Sequence, residues 1–203
     1  MDQKVVWNAL AKGWSGWRHW PIRAVNELSN EWRKGSILDI GCGNCRNLIP
    51  FLKKGFSGTG VDFSKEMLKQ GEELLKRNKV KAKFKLGSAE NLPFKDNSFD
   101  YCLFMASLHH LSGNEREKAL LEMKRVLKKR GKGLVSVWNK WQLKYLFGKK
   151  ERIIPWPTKN KVYDRYYYFF NYFELRSLLK KAGFKIVKSS GMFKKNLEFV
   201  VRK

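Results

Sequence analysis

A buried strand that runs straight into a glycine turn constrains this chain more than any other stretch. Ile37-Leu38-Asp39-Ile40 is followed by Gly41-Cys42-Gly43-Asn44-Cys45-Arg46, after which Leu48, Ile49 and Leu52 recur at helical spacing. The apolar run, the glycines and the change of period read as strand, tight loop and helix. Gly41 and Gly43 allow positive φ and carry no Cβ, so a ligand can approach the backbone at the carboxyl end of the strand. A second apolar strand over residues 58–61 ends in Asp62, nineteen residues after Gly43. A carboxylate at that offset takes both hydroxyls of a ribose, and the pair predicts an adenosine-type site.

The stretches that follow repeat this unit. Strands at 37–40, 58–61, 82–86, 99–105 and 133–137 alternate with helices at 45–54, from Ser64 onward and at 115–128. Such alternation means a parallel α/β sheet with helices on both faces. Right-handed crossovers put every carboxyl end on one rim, where Gly41, Asp62, Ser88 and Ala106 converge. Before this core, Val6, Trp7, Leu10 and Trp14 mark one helix, Ser15-Gly16 reads as a break, and Pro21 stands where a second helix begins. After it, residues 138–170 are rich in Trp, Tyr, Pro and Lys, too apolar for a solvated linker and too proline-bound for a regular helix, which predicts a cap folded over the rim. A helix at 173–182, a stop at Gly183 and strands at 184–189 and 197–201 close the sheet. With 203 residues the expectation is one domain: an N-terminal lid (1–35), a cofactor-binding core (36–137), a substrate cap (138–170) and a C-terminal helix with two strands (171–203).

The 43 Lys and Arg against 18 Asp and Glu give a formal charge of +25, dispersed along the chain, so a folded basic surface for a polyanion such as nucleic acid is expected. No apolar run approaches the roughly 20 residues of a membrane span, and the N-terminus does not read as a signal peptide, which predicts a cytoplasmic protein without a membrane partner. Cys42, Cys45 and Cys102 are the three cysteines. A zinc site needs four ligands and none complete it, so no metal is expected. Reduced thiols are the plain reading, and a Cys42–Cys45 dithiol switch stays open beside it.

Asp39-Ile-Gly-Cys-Gly, Asp62, Gly87-Ser-Ala-Glu-Asn-Leu-Pro-Phe and Asn97-Ser-Phe-Asp100 resemble the successive motifs of class I S-adenosylmethionine-dependent methyltransferases. Trp7-Asn8, Trp14-Ser15, Arg18, Trp20-Pro21, His109-His110, Trp138, Gln142, Pro155-Trp156 and Arg165-Tyr166-Tyr167 resemble, within that class, the tRNA methyltransferases that esterify 5-carboxymethyluridine at the wobble position. The resemblance implies a Rossmann-like sheet of seven strands, order 3-2-1-4-5-7-6, mostly parallel with the last strand antiparallel. It implies S-adenosyl-L-methionine as cofactor and S-adenosyl-L-homocysteine as product, with Asp39, Gly41, Gly43, Asp62, Ser88, Ala89, Glu90 and Ala106 as cofactor contacts. Cys45 stands where the class usually has a third glycine, narrowing the room near the methionine moiety. Ser88 stands where it usually has Asp.

The tRNA anticodon region is the implied partner. Relatives also work with a small zinc-binding activator, which here would cover the exposed edge strand between Ala82 and Leu86. Enzymes of this class that methylate exocyclic amines carry an Asn/Asp-Pro-Pro-aromatic stretch where this chain reads Phe104-Met105-Ala106-Ser107-Leu108, and no Pro-Cys nucleophile is present. A carboxylate acceptor fits what remains. Already ionised at neutral pH, it needs a cation to orient it rather than a base. Arg18 and Arg165 are the candidate cations, with His109 or His110 donating a hydrogen bond. Trp20, Trp138, Trp156 and Tyr166 are the candidate substrate contacts, Trp156 and Tyr166 by base stacking. Asp39 and Asp100 are expected to hold backbone amides or helix starts near the loop. A small-molecule methyltransferase acting on a carboxylate or quinol, and a silent cofactor- and RNA-binding module, remain as alternatives.

Overall fold

The computed structural model describes residues 2–159 and 161–203, so Met1 of the lid and Asn160 of the cap lie outside it. Helices α1 (Gln3–Trp17) and α2 (Arg23–Glu31) precede β1 (Ser36–Ile40), α3 (Ile49–Lys53), β2 (Ser57–Asp62), α4 (Lys65–Arg77) and β3 (Lys83–Leu86). Then come β4 (Phe99–Met105), α5 (Glu115–Val126), β5 (Leu127–Trp138), the pair β6 (Glu151–Pro157) and β7 (Val162–Tyr168), α6 (Tyr172–Lys181), β8 (Lys185–Ser189) and β9 (Asn196–Arg202). The main sheet has seven strands in the order β3-β2-β1-β4-β5-β9-β8. Strands β1 to β5 pair in parallel, while β9 is antiparallel to both of its neighbours. Because β6 and β7 form a separate ribbon, this is the order that the family resemblance implies.

Burial on both faces explains why the strands read as continuous apolar runs. Along β1 and β4, Leu38, Ile40, Cys102 and Phe104 pack on the side of α5 and α6. Their neighbours Ile37, Leu103 and Met105 pack against Trp32, Phe51 and Leu74 on the other side. Among the described residues, β3, beside β2, and β8, beside β9, are the two edges of this sheet. Among the described residues no helix is long and apolar enough to cross a membrane.

Two local expectations are corrected. Helix α1 continues through Ser15 and Gly16 to Trp17, because burial of Val6, Trp7, Leu10 and Ala11 outweighs a glycine cost of about 1 kcal/mol. Helix α5 stops at Val126 and β5 begins at once, so Lys128 lies in a strand, where its amine pairs with Asp100 at 2.9 Å. The segment expected to cap the rim contains, as its second half, the antiparallel β6–β7 ribbon, which the sequence reading did not name. Gln3 of α1 anchors that ribbon, accepting from the amide of Tyr166 at 3.0 Å and donating to the carbonyl of Asp164 at 3.1 Å.

Candidate active site

The carboxyl ends of β1, β2 and β4 open into a cavity of about 280 Å3 whose opposite wall is α1 and the β6–β7 ribbon. Gly41 and Gly43 hold φ of 62° and 52°. A side chain on Gly41 would collide with Ser107, whose hydroxyl donates to the Gly41 carbonyl at 2.9 Å. Asp62 fixes the turn from below, accepting from the amides of Gly43 and Ser64 at 2.8 Å each. Burial pushes its carboxyl up to about 6, against the pull of those amide bonds, so it is ionised at neutral pH. Each oxygen keeps a lone pair for a further donor.

Asp39 is the unusual group. It is buried, and among the described residues neither carboxylate oxygen has a hydrogen-bond partner. Burial, with the charge of Asp62 added and Arg46 opposing, pushes it up to about 8. The expectation that it holds backbone amides is corrected: it lies inside β1, whose amides are committed to β2 and β4. Asp100 does hold an amide, that of Ser36 at 2.8 Å, but it sits at the start of β4, away from the glycine turn.

Cys45 also differs from expectation. It adopts φ 57°, the left-handed region the missing glycine would take. Its side chain is fully buried and its sulfur lies beside Gly60 and Gly71, so it does not narrow the cavity. Burial pushes the thiols of both Cys42 and Cys45 up. After β3 the wall is made by Gly87 and Ala89, whereas Ser88 and Glu90 lie off it, Ser88 in a bridge to Asn91. Ala106, at φ 53°, is on the wall.

The lining also holds His109 and His110 just after β4, Trp138 at the end of β5, and Trp156, Arg165 and Tyr167 on the ribbon. Alternation along β7 turns Arg165 and Tyr167 inward, and Tyr166 faces away, its hydroxyl near Arg116. Tyr167 therefore faces the cavity where Tyr166 was expected to, and its ring lies 4.6 Å from that of Trp138 at 27°. Trp20 is 75% exposed and off the cavity, its ring tilted against that of His19 at 5.4 Å. Arg165 is 6% exposed; it donates to the Tyr167 hydroxyl at 2.8 Å and lies 4.7 Å from the centre of the Trp156 ring. Its Nε has no partner, and no carboxylate pairs with it among the described residues.

Arg18 lines the exposed mouth, its carbonyl held by the Asn44 amide at 2.8 Å. The sequence reading missed Arg46, which lines the cavity over Trp14. Burial and the nearby Arg18 lower it to about 10, with Asp39 opposing.

His109 accepts at Nδ1 from the amide of Trp138 at 3.2 Å, and His110 donates from Nδ1 to the Tyr166 carbonyl at 2.9 Å. Burial drives His109 well below the ordinary imidazole range and His110 down to about 4. Both are neutral at physiological pH.

The donor set suits a nucleoside bearing an amino-acid tail. Asp62 offers lone pairs to ribose hydroxyls, Gly41 and Gly43 leave room against the backbone, and Arg46 offers a positive charge to a carboxylate, whereas Asp39, expected among the cofactor contacts, lies off the lining and is mainly protonated at neutral pH.

A methyltransferase-domain family model matches residues 37–131. A protein of Encephalitozoon cuniculi that bears a methyltransferase name is 33% identical over 84% of this chain and 80% of its own. The tRNA (carboxymethyluridine(34)-5-O)-methyltransferase of Schizosaccharomyces pombe is 27% identical over 88% of this chain and 86% of its own. A demethylmenaquinone methyltransferase of Renibacterium salmoninarum is 36% identical, over 61% of this chain and 48% of its own. The crystal structure of a SAM-dependent methyltransferase from Methanosarcina mazei superposes with a TM-score of 0.75 at 25% identity, covering 87% of this chain and 96% of that one. With its glycine turn, its Asp62 and these relatives, the chain belongs to the S-adenosyl-L-methionine-dependent methyltransferases and uses that cofactor.

Proposed function

We propose that this methyltransferase forms the methyl ester of 5-carboxymethyluridine-type wobble nucleosides in tRNA. The observation that carries the reading is Arg165, a buried guanidinium on the cavity wall with no acidic partner. Such a charge is costly to bury alone, and an incoming carboxylate would complete it. The neutral histidines support the same acceptor. With His110 near 4 and His109 also depressed, neither would take a proton from a phenol or alcohol efficiently, whereas a carboxylate arrives ionised.

The cofactor supplies an electrophilic methyl group on a sulfonium. The chain's own work is positional. Arg165 holds the acceptor carboxylate by one oxygen and leaves the other free to attack. Tyr167, Trp138 and Trp156 give aromatic faces to the base and keep water out, and His109 donates from Nε2. Arg18 at the mouth meets the acceptor's remaining negative charge. The +25 charge supports a polyanionic substrate, and the S. pombe relative supports tRNA. The free edge at β3 suits the small zinc-binding activator.

The test is nucleoside mass spectrometry of tRNA bearing 5-carboxymethyluridine after incubation with the protein and S-adenosyl-L-methionine, with and without that activator. Ester formation is expected. Unmodified tRNA together with methylation of a small acid or quinol would transfer the reading to a small-molecule enzyme, which the R. salmoninarum relative favours. Binding of cofactor and tRNA without turnover in either condition would make it a silent module.

A further inference from the structure

A group of exposed rings lies just outside the cavity and plays no part in its walls. Trp141 packs edge-on to Phe173 at 6.0 Å and tilted on Phe193 at 5.7 Å. Phe173 is 60% and Phe193 79% exposed, with Leu143 and Phe147 nearly free in the same region of chain. Exposed apolar groups in such a cluster mark a surface that meets something.

The backbone beneath is fixed. Asn139, fully buried, donates from Nδ2 to the carbonyls of Met192 and Lys194 at 2.7 and 2.8 Å and accepts from the amide of Trp141 at 3.0 Å. Gln142 adds donors to the carbonyls of Asn139 and Lys195 at 2.9 and 3.1 Å. Rings presented on so tied a loop need little ordering on binding. The loop starts at the cavity lip, because Trp138 and Asn196, paired across β5 and β9, both line the cavity.

The charge around the rings selects the partner. Residues 139–150 and 185–197 contain eight lysines and no acidic residue. Lys150 pairs with Glu174, while Lys140, Lys144, Lys194 and Lys195 form no ion pair among the described residues. Aromatic faces interleaved with unpaired cations are the chemistry of single-stranded nucleic acid.

We infer that Trp141, Phe173 and Phe193, ringed by Lys140, Lys194 and Lys195, form a platform on which unpaired RNA nucleotides next to the reacting nucleoside stack. The inference rests on the tRNA reading above and says where such an RNA leaves the cavity.

The test uses an anticodon stem-loop RNA carrying 5-carboxymethyluridine, followed by fluorescence anisotropy and by methyl transfer. Phe193→Ala is expected to weaken stem-loop binding about tenfold, leaving S-adenosyl-L-homocysteine affinity and binding of a blunt RNA duplex unchanged. Lys194→Gln with Lys195→Gln is expected to lower the salt slope by about 1.4, two cations at about 0.7 each on a single strand. If wild type methylates the stem-loop and both variants bind it as tightly, the platform is refuted and the proposed function stands. Equal weakening for stem-loop and duplex refutes stacking. If Phe193→Ala instead abolishes binding to anionic phospholipid vesicles while stem-loop binding is unchanged, the surface belongs to a membrane. If the wild type neither binds nor methylates any RNA, the tRNA reading fails and the platform with it.

Discussion

His109 and His110 are adjacent in the chain and carry opposite tautomers. The Tyr166 carbonyl can only accept, so Nδ1 of His110 bears the proton; the Trp138 amide can only donate, so Nδ1 of His109 is bare. His109 therefore presents an N–H at Nε2, and His110 presents a lone pair there.

Both imidazoles have folded pKa values below the unfolded value of about 6.5. The unfolded chain then binds the extra protons first, so their contribution to stability is lost as pH falls below about 6.5, for His110 down to about 4. In melts between pH 4.5 and 7, His110→Asn, which keeps a donor for Tyr166 but does not titrate, should flatten the acid loss. An unchanged slope would show that His110 is not held neutral.

Arg165→Met should reduce methyl transfer at least a hundredfold, since it removes a charge aimed at the reacting group, yet leave the melting temperature level or higher, because an unpaired buried charge is lost. Arg165→Lys should recover only part of the rate, as a point charge lacks the planar fork. Single-turnover rates and thermal melts on the same samples test this. Near-normal turnover in the methionine variant would remove Arg165 from the acceptor site.

Asp39, pushed up to about 8, is mainly protonated at pH 7. A cofactor ammonium favours the carboxylate, so binding should expel close to one proton at pH 7, and affinity should rise with pH toward about 8. Calorimetry of S-adenosyl-L-homocysteine in buffers of different ionisation enthalpy measures the release. Asp39→Asn should abolish it, and a proton count unchanged in that variant would assign the proton elsewhere.

Cys45→Gly relieves a left-handed side-chain residue and leaves a small void in the core. The two effects oppose, so stability should move by less than about 1 kcal/mol, and cofactor affinity should stay within about twofold. With the thiols buried and held protonated, affinity should be the same with and without reductant. Loss of cofactor binding on mild oxidation would restore the dithiol switch.

The glycine turn and the carboxylate after β2 were legible because their rules are local, whereas Asp39, Ser88 and Glu90, also expected there, lie off the lining. A glycine turn after an apolar strand and a carboxylate nineteen residues on are enough to place Gly41, Gly43 and Asp62. The acceptor half was less so. Arg165 could be named, but which tyrosine accompanies it depends on strand parity, and a run as aromatic as Tyr166-Tyr167-Tyr168 hides the alternation that only pairing with β6 reveals. Arg46 was hidden for the opposite reason: beside so strong a motif it reads as a helix start. Asp39 was misjudged because a sequence cannot show that the amides near a carboxylate are already committed to the ladder.

The β6–β7 ribbon has a consequence for how such an enzyme could change its substrate. Arg165, Trp156 and Tyr167 are carried on two strands that share no ladder with the main sheet, and β7 also rests on α1 through Gln3. Substitutions, or even exchange of the whole ribbon, can therefore reshape the acceptor pocket while the strands that position Gly41, Gly43 and Asp62 keep their pairing. On the proposed function, the ribbon's share of acceptor choice is a replaceable part of this molecule, and a graft of residues 151–168 onto a relative is expected to shift the preference.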